Sequence, residues 1–143
     1  MRTIRLASGA RDQARALFVL MARVFEEDSS GLSDAYVDGL LARQSFWAIA
    51  AFVDDEIVGG LTAHTLPMTR SESSEIFIFD IAVRSDHQRK GVGRRLLTTL
   101  RSEAATLGIS DVFVAADDDD LHALDFYRAT GGVASPVTMF AFK

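Results

Sequence analysis

Residues 88–94 read Gln-Arg-Lys-Gly-Val-Gly-Arg, and Arg84, Arg89, Lys90, Arg94 and Arg95 place five of the fifteen Lys and Arg within twelve residues. Helical apolar spacing begins directly after the second glycine. A helix N-terminus presents unpaired amide N–H groups and a partial positive charge. Gly91 and Gly93 allow close approach of an anion to that backbone, and Arg89, Lys90 and Arg94 add full charges around it. A diphosphate would suit such a place. The spacing excludes two familiar phosphate binders, because there is no G-x-x-x-x-G-K-[ST] and Gly91-Val92-Gly93 lacks the third glycine of a dinucleotide fingerprint. The plain alternative is a solvated helix start with glycines that only make the turn.

Carboxylates form the second constellation. Asp80 interrupts the apolar run Ile76-Phe77-Ile78-Phe79-Asp80-Ile81-Ala82-Val83, and an ionised carboxylate there costs several kcal/mol unless it is paired or reaches water. It therefore calls for an internal Arg, a bulge that turns it outward, or a substrate cation whose proton it accepts. Glu75, at the start of the same run, is a second candidate for holding a cation and is otherwise an exposed strand end. Asp117-Asp118-Asp119-Asp120 is a run of like charge. Asp119 or Asp120 fits an N-cap of the helix that follows. Asp117 and Asp118 remain for substrate, since an exposed ion pair contributes only about 0.2–1 kcal/mol and a polycation touching several gains what one amine cannot. Glu26-Glu27-Asp28 is either an opposite wall or an acidic helix end.

The chain has 143 residues, a formal net charge of −5 and no cysteine. That length suits one domain over residues 1–143. The acidity argues against nucleic acid or an anionic membrane as partner and favours a cationic one. No thiolate nucleophile or sulfur-bound metal is possible, His64, His87 and His122 lack metal-ligand spacing, and no metal is expected. With no spanning run or signal core in sight, a cytoplasmic protein is expected.

Ala14, Leu17, Phe18, Met21 and Val24 predict a helix over about 10–27, and Tyr36, Val37, Leu40 and Leu41 a second. Phe46–Val53 and Ile57–Leu66 read as a hairpin turning at Asp54-Asp55-Glu56. Glu75–Val83 reads as a central strand covered on both faces. A helix over 93–107 stopped by Gly108, a strand over 112–116, a helix over 121–130 ended by Gly131-Gly132 and a last strand over 137–142 follow. Strand, helix, strand order favours a parallel pair beside the antiparallel hairpin, hence a mixed sheet flanked by helices.

Gln88-Arg89-Lys90-Gly91-Val92-Gly93, directly after Ile81-Ala82-Val83, resembles the acetyl-CoA-binding R/Q-x-x-G-x-G/A segment of the GNAT acetyltransferase superfamily. Ala123-Leu124-Asp125-Phe126-Tyr127 ending at Gly131 looks like that family's second CoA-contacting region. The resemblance covers residues 46–132, and 1–45 match only in the two-helix pattern. It implies an α/β GNAT fold, a mixed sheet whose parallel central strands splay apart. It also implies cofactor contacts at Ile81, Ala82 and Val83 through their backbone, and at Gln88, Arg89, Lys90, Gly91, Val92, Gly93 and Arg94. Tyr127 would protonate the CoA sulfur, its alternative being a core tyrosine with its hydroxyl at the rim. Asp80 would hold the substrate ammonium and accept its proton. Residues 74–83 and the acidic tract look like the aminoglycoside 3-N-acetyltransferases, so an aminoglycoside, acetylated by direct attack, is the expected substrate. A polyamine or peptide-amine acetyltransferase, or a non-catalytic acyl-CoA-binding regulator, stand as rivals. Two positions depart from the family pattern: Asp120, where many relatives carry asparagine, and Gly132, where an aromatic is usual. The apolar stretch Val137–Phe142 suggests a homodimer contact.

Overall fold

In the computed structural model, which describes residues 1–143, strand β1 (Arg2–Arg5) precedes helices α1 (Arg11–Val24) and α2 (Asp34–Ala42). Strands β2 (Phe46–Val53), β3 (Glu56–Pro67) and β4 (Ser74–Val83) follow, then α3 (Val92–Thr106), β5 (Asp111–Val114) and α4 (Leu121–Ala129). The sheet order is β1-β2-β3-β4-β5, antiparallel throughout except for the parallel β4–β5 pair. This is the GNAT fold expected from the sequence.

Each helix is placed by its apolar stripe. Leu96, Leu100 and Ala104 of α3 pack on Trp47, Ile49, Leu61, Ile76 and Ile78 on one sheet face. Leu17 and Met21 of α1, with Val37 and Leu41 of α2, cover Phe46, Ala48, Ala50 and Phe52 on the other. That two-sided cover explains why β2 is apolar at every position. The β2–β3 turn is Asp54-Asp55, both left-handed at φ 51° and 63°, the two-residue hairpin geometry that matches strand twist. Gly60 lies under α1, where an added Cβ would come within 2.0 Å of Leu17 Cδ1 and 3.0 Å of its Cγ. Leu17 is fully buried, so moving aside means repacking the core around it. Gly60→Ala is therefore expected to lower stability by about 1–3 kcal/mol, seen as an earlier urea midpoint with an unchanged slope.

Two elements differ from the sequence-based expectation. β1 was not foreseen, because Met1-Arg2-Thr3-Ile4-Arg5 is a half-exposed edge strand whose inward residues are polar. Thr3 hydrogen-bonds Thr99 of α3 at 2.6 Å, and Arg5 lies 3.5 Å from the centre of the Trp47 ring while donating to the carbonyls of Gln44 and Phe46. The expected last strand is absent: residues 133–143 form no regular structure, are exposed, and make no backbone hydrogen bond. A strand requires a neighbouring ladder, and this segment lies against none in its own chain.

Candidate active site

Parallel pairing of β4 with β5 ends at Ile78 opposite Val114, while β4 runs on to Val83. On its other side β4 stays paired with β3 through Asp80, Ile81, Ala82 and Val83. A gap therefore opens beside the second half of β4. The Arg84 N–H donates to Val58 O at 2.8 Å, so alternation along the strand turns the amides of Asp80 and Ala82 toward β3 as well. The amides of Ile81 and Val83 face the gap. Ala82 also buries its side chain beneath the α1 face. Of the three backbone contacts expected from sequence, two are free to receive a ligand.

At the end of the gap a short 3-10 turn, Ser85–His87, leads into the glycine loop. Arg89 and Gly91 adopt left-handed backbone, φ 62° and 83°. Gly91 caps α3 with no side-chain partner. The first helical bond is from the Arg95 N–H to Gly91 O, leaving the amides of Gly91, Val92, Gly93 and Arg94 unpartnered. A Cβ at Gly91 would meet nothing within 4 Å. Arg89 and Lys90 are exposed and unpaired. Free amides, open space and unpaired cations together fit a phosphate-bearing group.

The remaining loop residues are partly committed to structure. Gln88 Nε2 donates to Val83 O at 3.1 Å, and Arg94 Nη2 donates to Ala129 O at 3.1 Å, tying α3 to the last turn of α4. Gly93 is small for packing, since a Cβ there would stand 3.0 Å from the Phe126 ring. Arg84 joins Glu56 at 2.6 Å and Asp86 at 2.7 Å and so braces the loop against the β2–β3 turn. Its hydrogen bonds hold the Asp86 carboxyl well below the usual carboxylate range.

Asp80 owes its position to a β-bulge. Thr62 pairs with Asp80 but Ala63 with Ile78, so Phe79 is the extra residue. Without it Asp80 would continue the inward series Ile76, Ile78 toward α3; with it, Ile81 and Val83 take that face and Asp80 turns to the opposite one. No Arg, Lys or His pairs with it. Partial burial raises its pKa, and the charge of Glu27, in the loop beyond α1, raises it further. Tyr127 on α4 is half-buried, and burial first, then the charges of Asp80 and Asp120, raises its phenol pKa. Asp80 and Tyr127 thus share one neighbourhood, and the contact of Gly93 with Phe126 brings the glycine loop to the same helix. Glu75 sits at the far end of β4, roughly 16 Å along the strand from Asp80, on the same sheet face.

Asp120 caps α4, its carboxylate accepting from the Ala123 N–H at 3.1 Å, while Asp117 and Asp118 are exposed just past β5. The Gly132 N–H closes α4 onto Tyr127 O at 2.8 Å. A Cβ there would approach that carbonyl to 2.9 Å, the physical reason for glycine at this position. Glu27 was legible only as part of an acidic helix end; its nearness to Asp80 depends on how the loop after α1, left-handed at Glu26 (φ 59°), folds back. No three His, Asp or Glu side chains are arranged to hold a metal ion, and no helix is long and apolar enough to cross a membrane.

Residues 13–131 match the family model described as acetyltransferase (GNAT) family. Among solved structures, the chain is 32% identical to aminoglycoside acetyltransferase meta-AAC0020 from an uncultured soil metagenomic sample, in complex with sisomicin, with a TM-score of 0.95 over 99% of this chain and 95% of that one. It is 30% identical to aminoglycoside acetyltransferase HMB0005, also from an uncultured soil metagenomic sample, with a TM-score of 0.94 over 99% and 97% of the two chains. It is 30% identical over 95 residues to the uncharacterized N-acetyltransferase YvbK of Bacillus subtilis (strain 168), a match spanning 66% of this chain and 57% of that protein.

Proposed function

The chain belongs to the GNAT acetyltransferase family, and from that premise we propose that it moves an acetyl group from acetyl-CoA to an amine of a polycationic small molecule, first of all the 3-amino group of an aminoglycoside. The observation that carries this reading is that one stretch of chain joins a cradle of free amides at the α3 N-terminus to an unpaired carboxylate, which the Phe79 bulge turns to the α1 face of β4. The likeness to aminoglycoside acetyltransferases at 30–33% identity supports the substrate class.

Acetyl-CoA supplies a thioester, whose carbonyl must be polarised and whose thiolate must receive a proton. The amides of Gly91, Val92, Gly93 and Arg94, with Arg89 and Lys90, bind the diphosphate. The amides of Ile81 and Val83 hold the pantetheine arm and the thioester oxygen along β4, and Gln88 fixes the end of that strand. Asp80 binds the substrate ammonium and accepts its proton, directly or through one water. Tyr127, a phenol protonated at neutral pH as any tyrosine is and half-buried on α4, gives a proton to the sulfur. Glu75, Asp117 and Asp118 engage further ammonium groups of the polycation; the separation of Glu75 from Asp80 matches an acceptor of several rings. The enzyme works in the cytoplasm as a homodimer over a single domain of residues 1–143, and detoxifying an antibiotic is the role that follows.

The test incubates the protein and acetyl-CoA with sisomicin, gentamicin and spermidine separately and reads mono-acetylation by mass spectrometry and its position by NMR. Acetylation of the two aminoglycosides at the 3-amino nitrogen is expected. Modification of another amine would overturn the position, and turnover of spermidine alone would replace the substrate class by polyamines.

A further inference from the structure

We propose that Phe79 is a specificity-determining residue: its bare aromatic ring, beside Asp80, favours acceptors that carry a saturated ring between their ammonium groups over linear polyamines. This deepens the substrate reading above and rests on it. Phe79 stands 62% exposed within β4, an inner strand of the sheet. Ala82, three residues on, is buried beneath the α1 face, so helical cover stops short of Phe79. A large apolar side chain left open and continuous with other aromatic rings marks a contact surface.

Strand parity and the bulge put ring and carboxylate together. Ile76 and Ile78 point into the α3 core, so Glu75, Phe77 and Phe79 share the opposite face. The bulge then returns Asp80 to that same face, and two consecutive side chains, one aromatic and one acidic, stand side by side. Along β4 this face therefore reads carboxylate, ring, ring, carboxylate. The Phe79 ring is also held in place. It meets Phe77 at 6.2 Å and His64 at 6.4 Å between ring centres, with interplanar angles of 85° and 87°. His64 in turn packs at 5.5 Å on Phe46, which is buried. Edge-to-face contacts of this kind orient a ring, so little freedom is lost when a ligand covers it.

The flanking carboxylates name a polycation as the occupant, and the rings between them narrow its shape. Glu75 and Asp80 alone do not distinguish two kinds of polycation, because a flexible polyamine bends to reach both. The C–H hydrogens of a saturated ring that bears ammonium groups are polarised positive, and they suit the negative face of a phenyl ring. A cyclic acceptor covers Phe79 with a rigid face while its amines meet the carboxylates. A linear chain offers only a narrow edge to the ring and loses rotational freedom in the process. The preference between the two thus falls to the aromatic ring.

The experiment compares Phe79→Ala, Phe79→Leu and Phe79→Trp with the unmodified full chain, with sisomicin as acceptor and spermidine as competitor. Phe79→Ala is expected to raise KM for sisomicin roughly tenfold with kcat within about threefold, the split of a residue that binds without taking part in the chemistry. The inhibition constant of spermidine is expected to stay within about threefold, and acetyl-CoA affinity within about twofold, which also shows the variant folded. Phe79→Trp restores a face and is expected to recover the KM; Phe79→Leu keeps apolar area without a face and is not. An unchanged sisomicin KM in Phe79→Ala, or full recovery by Phe79→Leu, would overturn the role of the ring alone. Equal losses for sisomicin and spermidine would overturn the selectivity. A changed mass of Phe79→Ala by light scattering would place a second copy on this face and overturn the proposal. Turnover of spermidine with none of sisomicin by the unmodified chain would overturn the substrate reading and the proposal together.

Discussion

Asp80→Asn is expected to lose roughly 10²–10⁴-fold in kcat/KM, the range for removing a positioned base, while its acetyl-CoA affinity by calorimetry stays near that of the unmodified enzyme. Asparagine keeps the shape at the bulge but can neither attract an ammonium nor accept its proton. The cofactor contacts assigned to β4 are backbone amides of Ile81 and Val83, and those do not change. A parallel fall in acetyl-CoA affinity would instead mean that Asp80 shapes the strand and not the chemistry.

The same variant has a second signature, in stability. Burial and Glu27 raise the Asp80 pKa above its ordinary value, so the folded state holds its proton to higher pH than the unfolded chain does. The native state binds more protons across that window, and stability falls as pH rises through it. Asp80→Asn removes that loss. It is expected to match the unmodified protein below the ordinary Asp range, where both side chains are neutral, and to melt higher at neutral pH in the absence of substrate. Activity runs the other way: turnover requires the ionised carboxylate, so the acid limb of the rate profile lies above the usual Asp range and vanishes in the variant. A residue that weakens the fold for the sake of the reaction is a familiar stability–activity compromise.

How much of this was legible beforehand follows the range of the forces involved. The glycine loop was readable because a capless helix start, two glycines and clustered cations are local features, and all lie within seven residues. β2 was readable because burial on both faces leaves no polar alternation to misinterpret; β4 was readable although it is not covered on both faces as expected, because its open face still carries aromatic side chains, Phe79 among them at 62% exposure. The oddity of Asp80 was readable too, but not its resolution, since the bulge at Phe79 exists only in the register of β4 against β3. Likewise the free amides of Ile81 and Val83 depend on β5 ending at Val114, which a sequence reading carried on to residue 116. Val137–Phe142 shows the limit best. Its apolar pattern reports a capacity to form a strand, but a strand is a property of a pair, and the partner edge is not in the pattern. β1 is the converse case: four residues of weak pattern become a strand because the β2 edge is there to receive them.

Gly91→Val should weaken acetyl-CoA binding by roughly 100-fold, about 2.8 kcal/mol at 1.4 kcal/mol per tenfold. Two effects combine at this residue. Its φ of 83° lies in the left-handed region, where a side chain costs roughly 1–2 kcal/mol and a β-branched one more. A branched side chain would also stand over the amides of Val92, Gly93 and Arg94, where phosphate oxygens must come within hydrogen-bond distance. Gly91→Ala separates the two: it adds the strain with little bulk, and because a Cβ there meets nothing within 4 Å, a loss of roughly tenfold or less is expected. Both variants should stay folded, and their residual affinity should fall less steeply with added salt than that of the unmodified enzyme if the lost contacts are to phosphate. Amine binding at Asp80 has no share in this loop, so substrate titrations in the absence of acetyl-CoA should be unchanged. Equal acetyl-CoA affinity for Gly91→Val and the unmodified chain would mean that the diphosphate lies away from the α3 N-terminus, and that the unpaired amides there serve some other anion.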